Sequence, residues 1–347
     1  MESDISIINA NSFNSGLGRY ANFLYEATKP SSNLINLRMD KRMVFNHGNT
    51  IDGLFPPVTN GWAFNTRFYD IIFNRKLSKL ADRTIFHYST ELGRPVGKSV
   101  VTIHDLFFLK YPDNYPAGFR RWLGSNLKYY KKLDNIIAIS EYTKKHLIEE
   151  GFEGTITRIY PPVSPNIYKI KDASKSQIRE ELNLPPNRTL VLVVASNEKR
   201  KNLEAVRKII ENKDFAIVCV GSEIQGSIAF SNLDEHTLNL LYNACDILLS
   251  PSIDEGFGFP VAEAMTAGLP VVASDIEVYN ETTDGHAILV DSSDKQDIMS
   301  GIREALSGRE ELSKNGIVYA KNFAFSSFKS QIQHYYNMLF PDINNFS

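Results

Sequence analysis

The chain is poor in cysteine: its 347 residues include two, Cys219 and Cys245. Both stand in apolar surroundings, "AIVCVG" and "LYNACDILL", without the spacing of a disulfide framework or a zinc site. This excludes a small disulfide-stapled domain and favours a reducing compartment. A charge excess of one sign is missing as well, with 38 Lys+Arg against 40 Asp+Glu. No run of residues approaches the ~18 apolar positions of a membrane span. The start, "MESDISII", lacks the basic region and long apolar stretch of a secretion signal. Histidines and aspartates are scattered rather than grouped at metal-ligand spacing. The expectation is a cytoplasmic protein that needs no metal.

What is present is ordinary globular composition, 43% hydrophobic and 22% charged, with 16 Tyr and 21 Phe arguing against disorder. The length suits two domains of roughly 150–180 residues better than one core. Charge is divided unevenly: residues 1–165 hold 21 Lys+Arg against 15 Asp+Glu, and the remainder 17 against 25. A basic first half and an acidic second half suggest different partners for each.

Apolar runs alternate with helix-like stretches throughout. "DISIINA", "RTIFHYS", "KSVVTIHDL" and "DNIIAIS" read as strands, while "NSGLGRYANFLYEATK", "FRRWLGSNLKYYKKL" and "EYTKKHLIEEGF" read as helices. The stretch "YPPVSPNIYKIKDASKS" has three prolines and little periodicity and reads as a linker. The alternation then restarts with "RTLVLVVAS", "FAIVCVGS", "CDILLSPS", "LPVVASD" and "AILVD" as strands. Strands alternating with helices predict α/β domains with doubly wound, Rossmann-like parallel sheets, and ligands at the carboxyl ends of their strands. The predicted division is 1–165, 166–325 and a closing aromatic helix, 326–347. Two such domains joined by one linker imply a cleft.

The segment with most chemical content is "DEGFGFPVAEAM", residues 254–265. It follows the strand "DILLSPS". Pro260 suits the first turn of a helix, where a missing N–H costs nothing, and Gly268 suits its end. The helix N-terminus then offers free N–H groups and a favourable dipole to an anion such as phosphate, and Gly256 and Gly258 let the backbone come close to it. Glu255 precedes the helix and Glu263 lies within its first turns. Most glutamates are solvated surface residues. Two that flank a phosphate seat can instead accept hydrogen bonds from vicinal hydroxyls, one of a sugar and one of a ribose. The basic stretch "KRKNL" supplies Arg200 as a fork and Lys201 as a point charge, both suited to phosphate. His104, followed by Asp105, stands at a strand end in "VVTIHDL".

The stretch "LYNACDILLSPSIDEGFGFPVAEAMTAGLPVVASD" resembles the signature of the retaining glycosyltransferases of family 4, which have the GT-B fold. "NSGLGRYA", "VVTIHDLFFLKYP", "IIAISEYTKKHL", "KRKNL" and the closing aromatic segment resemble further stretches of that family in the same order. The resemblance runs from about residue 5 to residue 340. It implies that Glu255 contacts hydroxyls of the transferred sugar and Glu263 the ribose of the nucleotide. It implies that the amides of Gly258, Phe259 and Val261 reach the distal phosphate, that Arg200 and Lys201 neutralise the diphosphate, and that His104 lies beside the reacting sugar. Gly16 and Gly18 look like the N-terminal loop that closes on the phosphate. Many members carry an arginine shortly after the strand preceding the lysine, where this chain has Ser196 in "VVASNEKRKN".

The resemblance further implies front-face transfer with retention, without a metal, from a nucleoside-diphosphate sugar to a saccharide or lipid-linked saccharide. "EGFGFP" with "RKN" resembles mannosyltransferase-like members, which favours GDP-mannose over a UDP-sugar. No nucleic-acid partner is expected. The first domain should hold the acceptor, with residues 46–70 as a candidate lining. Helix 117–132, with Arg120, Arg121, Lys128, Lys131 and Lys132 beside four aromatic residues, is a candidate for peripheral membrane contact. Two alternatives stay open: an epimerase-like enzyme of the same fold, and an inactive sugar- or nucleotide-binding module.

Overall fold

The computed structural model describes residues 5–12, 15–38, 47–52, 73–81, 84–91 and 93–341. The segment 46–70 lies largely outside these residues. The chain forms two compact units, one of Met1–Pro162 with Ser326–Ser347 and the other of Val163–Phe325.

The first unit is built on a seven-stranded sheet of order β3-β2-β1-β4-β5-β6-β7. Its strands are β1 (Ile5–Asn9), β2 (Ser32–Arg38), β3 (Asn49–Asp52), β4 (Ile85–Tyr88), β5 (Ser99–Ile103), β6 (Asn135–Ala138) and β7 (Thr155–Arg158). All neighbours pair in parallel. "ISIIN", "IFHY" and "SVVTI" are buried along their whole length, as expected of strands covered on both faces. The sheet grows outward from β1 to β3, then the chain returns to lay β4 on the other side of β1. The carboxyl ends of β1 and β4 therefore diverge into a crevice, the usual ligand position in such a sheet.

The helix Gly16–Thr28 follows β1 and starts at Ser15, whose side chain accepts a hydrogen bond from the Gly18 amide. This differs from the loop expected of Gly16 and Gly18: both lie inside the first turn, and the Gly18 N–H is taken by the cap at 3.1 Å. The closing helix Phe325–Leu339 buries Phe328, Ile332, Tyr335 and Tyr336. Phe328 meets the Tyr20 ring edge-on, the Tyr336 hydroxyl lies 2.5 Å from His87 Nδ1, and Gln333 donates to the Ala27 carbonyl.

The second unit repeats the pattern with six parallel strands in the order β10-β9-β8-β11-β12-β13. They are β8 (Thr189–Val194), β9 (Phe215–Val220), β10 (Ile228–Phe230), β11 (Ile247–Ser250), β12 (Val271–Ser274) and β13 (Ile288–Val290). Its core joins Val191, Val193, Ile217, Leu249 and Val272 of the sheet with Val206, Ile298 and Ile302 of the helices. The crevice here opens between the ends of β8 and β11. The loop after β8 carries Arg200 and Lys201, and the loop after β11 carries Glu255, so the topology brings together two motifs about 55 residues apart in sequence.

Both cysteines are buried thiols. Burial, and then the charge of Asp246, pushes the Cys245 thiol up to about 12, so it stays protonated and inert. Among the described residues no helix is long and apolar enough to cross a membrane.

Candidate active site

In the second unit Glu255 is 6% exposed and accepts three hydrogen bonds. Lys201 Nζ lies 2.5 Å from Oε1, Arg200 Nη1 lies 2.8 Å from Oε2, and Ser252 Oγ donates to Oε1 at 2.8 Å. A buried carboxylate held in this way has its lone pairs and charge matched by named donors. The two loops are also tied along the backbone, with the Ile253 amide donating to the Arg200 carbonyl at 2.8 Å. Arg200 reaches a second carboxylate through Nε, 2.9 Å from Glu198 Oε2.

Glu255 leads into the helix Phe259–Thr266, which is capped by Gly258 in the left-handed region at φ +90°. A Cβ on Gly258 would stand 2.5 Å from Cε1 of Tyr279. That ring is fully buried, and its hydroxyl lies 2.6 Å from Ser250 Oγ. Burial, and then the charge of Glu255, raises the Tyr279 phenol well above its ordinary value. Phe257 anchors the loop: its ring packs on Phe259 and Phe323, and its carbonyl accepts from Thr282 Oγ1 at 2.6 Å. The turn is thus held on three sides before any ligand arrives, as electrostatic preorganisation requires.

Of the three amides assigned to a phosphate, Val261 is engaged within the helix, donating to the Gly258 carbonyl at 3.0 Å. Pro260 at the second helical position has no N–H. The seat offered by the helix start is therefore the pair of amides of Gly258 and Phe259, a smaller cradle than the sequence suggests. Glu263 is 6% exposed, and its Oε2 accepts from the Tyr242 hydroxyl at 2.7 Å. This fixes one oxygen of the carboxylate.

In the first unit His104 follows β5 directly and is 7% exposed. Nε2 lies 3.0 Å from the Ser89 carbonyl, which can only accept, so Nε2 carries the proton and Nδ1 is the basic nitrogen. The Tyr20 ring meets the imidazole edge-on at 4.7 Å, and its hydroxyl bonds Thr102 Oγ1, which also contacts His87 Nε2. Asp105 accepts from the Phe107 amide at 2.9 Å, two residues on, in the turn that leads into the short helix Phe107–Lys110. Glu91, just past β4, is pushed up to about 8 by burial and then by the charge of Asp105. It is thus largely neutral near pH 7.

Burial lowers His104 to about 4, the Ser89 bond opposing it in part, and burial and then the charge of His104 lower His87 to about 3. Above pH ~6.5 both imidazoles are neutral, folded or unfolded. Between ~6.5 and ~4 only the unfolded chain binds these protons, so stability falls as the pH falls. Urea unfolding at pH 7.5, 6 and 5 is expected to give decreasing midpoints, with a shallower fall in His104→Gln. Equal slopes in the two proteins would contradict a buried neutral His104.

The helix Ala117–Tyr130 makes up most of the stretch 117–132 considered for peripheral membrane contact. Trp122 and Tyr130 are buried, Phe119 stacks on Tyr115, and Tyr129 lies under Arg94 at 4.4 Å. The aromatic residues serve packing, and Arg121 and Lys128 form the exposed part. Among the described residues no group of three or more His, Cys, Asp or Glu stands together as a metal site would need.

Comparison with known proteins decides the family. The family model "Glycosyl transferases group 1" matches residues 174–323, and the model "Glycosyltransferase Family 4" matches residues 40–167. The chain belongs to the family 4 glycosyltransferases. A relative, the O-antigen chain mannosyltransferase RfbU of Salmonella typhimurium, is 24% identical over 71% of this chain and 70% of its own. Sucrose-phosphate synthase of Thermosynechococcus elongatus shares the fold with a TM-score of 0.80, 18% identity and coverage of 98% of this chain and 100% of that one. The Anabaena HepE complex with UDP and glucose does so at 0.74 and 13%, over 96% and 99%. The fold of this glycosyltransferase is GT-B, two Rossmann-like parallel-sheet domains.

Several residues of the glycosyltransferase site escape a reading of its sequence. Ser252 and Glu198 bind through short loops whose geometry has no periodic signal. Tyr242 and Tyr279 look like core aromatics on helices and show a site role only through their hydroxyl partners. Glu91 gives no motif at all, because its perturbation comes from burial.

Proposed function

We propose that the protein is a retaining hexosyltransferase that moves mannose from GDP-mannose to a saccharide or lipid-linked saccharide acceptor in polysaccharide synthesis. The second unit holds the donor and the first unit the acceptor. The observation that carries the reading is the cluster of buried Glu255 with the partly buried Arg200 and Lys201 beside a glycine-capped helix start. Departure of a nucleoside diphosphate develops negative charge, and cations and amides gathered at one place stabilise it. Arg200 and Lys201 supply that charge in place of a metal. Glu255, once the cations turn to the diphosphate, presents its carboxylate to sugar hydroxyls. Glu263, steadied by Tyr242, takes the ribose. His104 is neutral, and its unprotonated Nδ1 is suited to accept a hydrogen bond from a sugar hydroxyl without adding charge.

Mannose as the sugar is supported by the RfbU relative, an O-antigen chain mannosyltransferase. The HepE complex holds UDP and glucose, so the base and the sugar are the points most in need of measurement. Calorimetric titration separates them. GDP is expected to bind more tightly than UDP, and GDP-mannose rather than UDP-glucose to be consumed when acceptor is present. Tighter binding of UDP with turnover of a UDP-sugar would overturn the donor assignment. Release of an epimer without acceptor would favour an epimerase instead.

A further inference from the structure

Each cation of the donor site already faces a carboxylate before any diphosphate is present. Lys201 Nζ is 2.5 Å from Glu255, and Arg200 is shared between Glu255 at 2.8 Å and Glu198 at 2.9 Å. An incoming diphosphate must therefore compete with a side chain for at least one of them. The two carboxylates differ in how firmly they are held. The Glu255 side chain is 8% exposed and accepts from Arg200, Lys201 and Ser252. The Glu198 side chain is 43% exposed, and it accepts from Arg200 Nε at 2.9 Å and from Ser196 Oγ at 2.6 Å. A half-exposed carboxylate is rehydrated at small cost when it leaves an ion pair, whereas a buried one is not.

We propose that Glu198 is a positioning residue: it occupies the Arg200 guanidinium in the empty site, gives way to the donor diphosphate, and returns when the product leaves. The partner that keeps it there is Ser196, whose hydroxyl donates to Glu198 Oε1 at 2.6 Å. Burial works to raise Glu198, but the Ser196 hydroxyl and the charges of Arg200 and Lys201 outweigh it and hold the carboxyl below its usual range, so it is ionised at neutral pH. The helix-start amides and Lys201 are not altered by the exchange. No covalent step is involved; one anion replaces another on a fixed cation. The functional consequence is a brake on product retention, since a returning carboxylate competes with the nucleoside diphosphate for the same guanidinium.

The inference rests on the proposed donor site, and titration of GDP separates the two. Glu198→Gln keeps the shape and the hydrogen bonds but removes the competing charge. It is expected to bind GDP about five-fold more tightly than the wild type, the scale of one partly exposed ion pair. Transfer by this variant should also be inhibited by GDP at lower concentration. Ser196→Ala, which loosens Glu198 without changing charge, should tighten binding by a smaller factor. Unchanged or weaker binding in Glu198→Gln, with wild-type binding intact, would overturn the inference alone. Failure of the wild type to bind either GDP or UDP would instead remove the donor site on which it depends. Both positions are exposed, and a thermal melt verifies that each variant is folded.

Discussion

Replacing Glu255 by alanine is expected to lower transfer by about 10²–10³-fold while leaving nucleoside-diphosphate binding at least as tight as in the wild type. The two outcomes follow from one arrangement. Glu255 is the partner of both Lys201 and Arg200. Without it the cations remain and meet the diphosphate with one competing carboxylate fewer, Glu198 alone still facing Arg200, so binding does not weaken. What is lost is the carboxylate that holds sugar hydroxyls and sets the distance of the cations from the reacting carbon. Catalysis depends on groups placed for the transition state, and misplacement of such groups lowers turnover more than affinity. The variant should also unfold more easily when empty, since two partly buried charges lose their partner, and recover when GDP is added. Transfer within a few-fold of wild type would remove Glu255 from the reaction.

The second large effect is on stability. Gly258→Ala is expected to destabilise the second unit by about 2–4 kcal/mol, combining the cost of a left-handed residue with a clash. Gly258 has φ +90°, and an added Cβ would lie 2.5 Å from Tyr279 Cε1. The ring cannot retreat freely, because it is fully buried and its hydroxyl is bonded to Ser250. The melting temperature should fall by roughly 5–15 °C for a unit of this size. Gly124→Ala provides the contrast. It sits in the helix Ala117–Tyr130 with nothing within 4 Å of the added Cβ, and alanine there should be neutral or stabilising. A Gly258→Ala protein that melts with the wild type would show that the turn is not held as described.

Much of this fold is legible because buried parallel strands are written as continuous apolar runs. "ISIIN", "SVVTI" and "TLVLVV" announce themselves, and Gly151 and Gly268, both at positive φ, mark two helix ends. The elements that a reading by periodicity passes over include the short edge strands β3, β7 and β10, with three or four residues each, and the longer interior strand β2. The helix Lys175–Glu181 starts at the end of what reads as linker, where Ser174 and Gln177 form a capping box that could have revealed it. The site divides in the same way. The positions of Glu255, Glu263, Arg200, Lys201 and His104 after strands are recoverable from motif and alternation. Their pairing is not, because two loops about 55 residues apart meet only through the crossover that lays β11 beside β8. The engaged Val261 amide shows the opposite limit: a motif can name a backbone donor whose hydrogen bond the helix has already used.

The most direct measurement of the central claim is a calorimetric titration of GDP and UDP into the wild type and into Lys201→Ala. The account predicts one site per chain in the wild type, with at least a ten-fold loss of affinity in the variant, the scale of one charge-assisted contact to phosphate. Wild-type protein that binds neither nucleotide, or a variant that binds as tightly as the wild type, would contradict it.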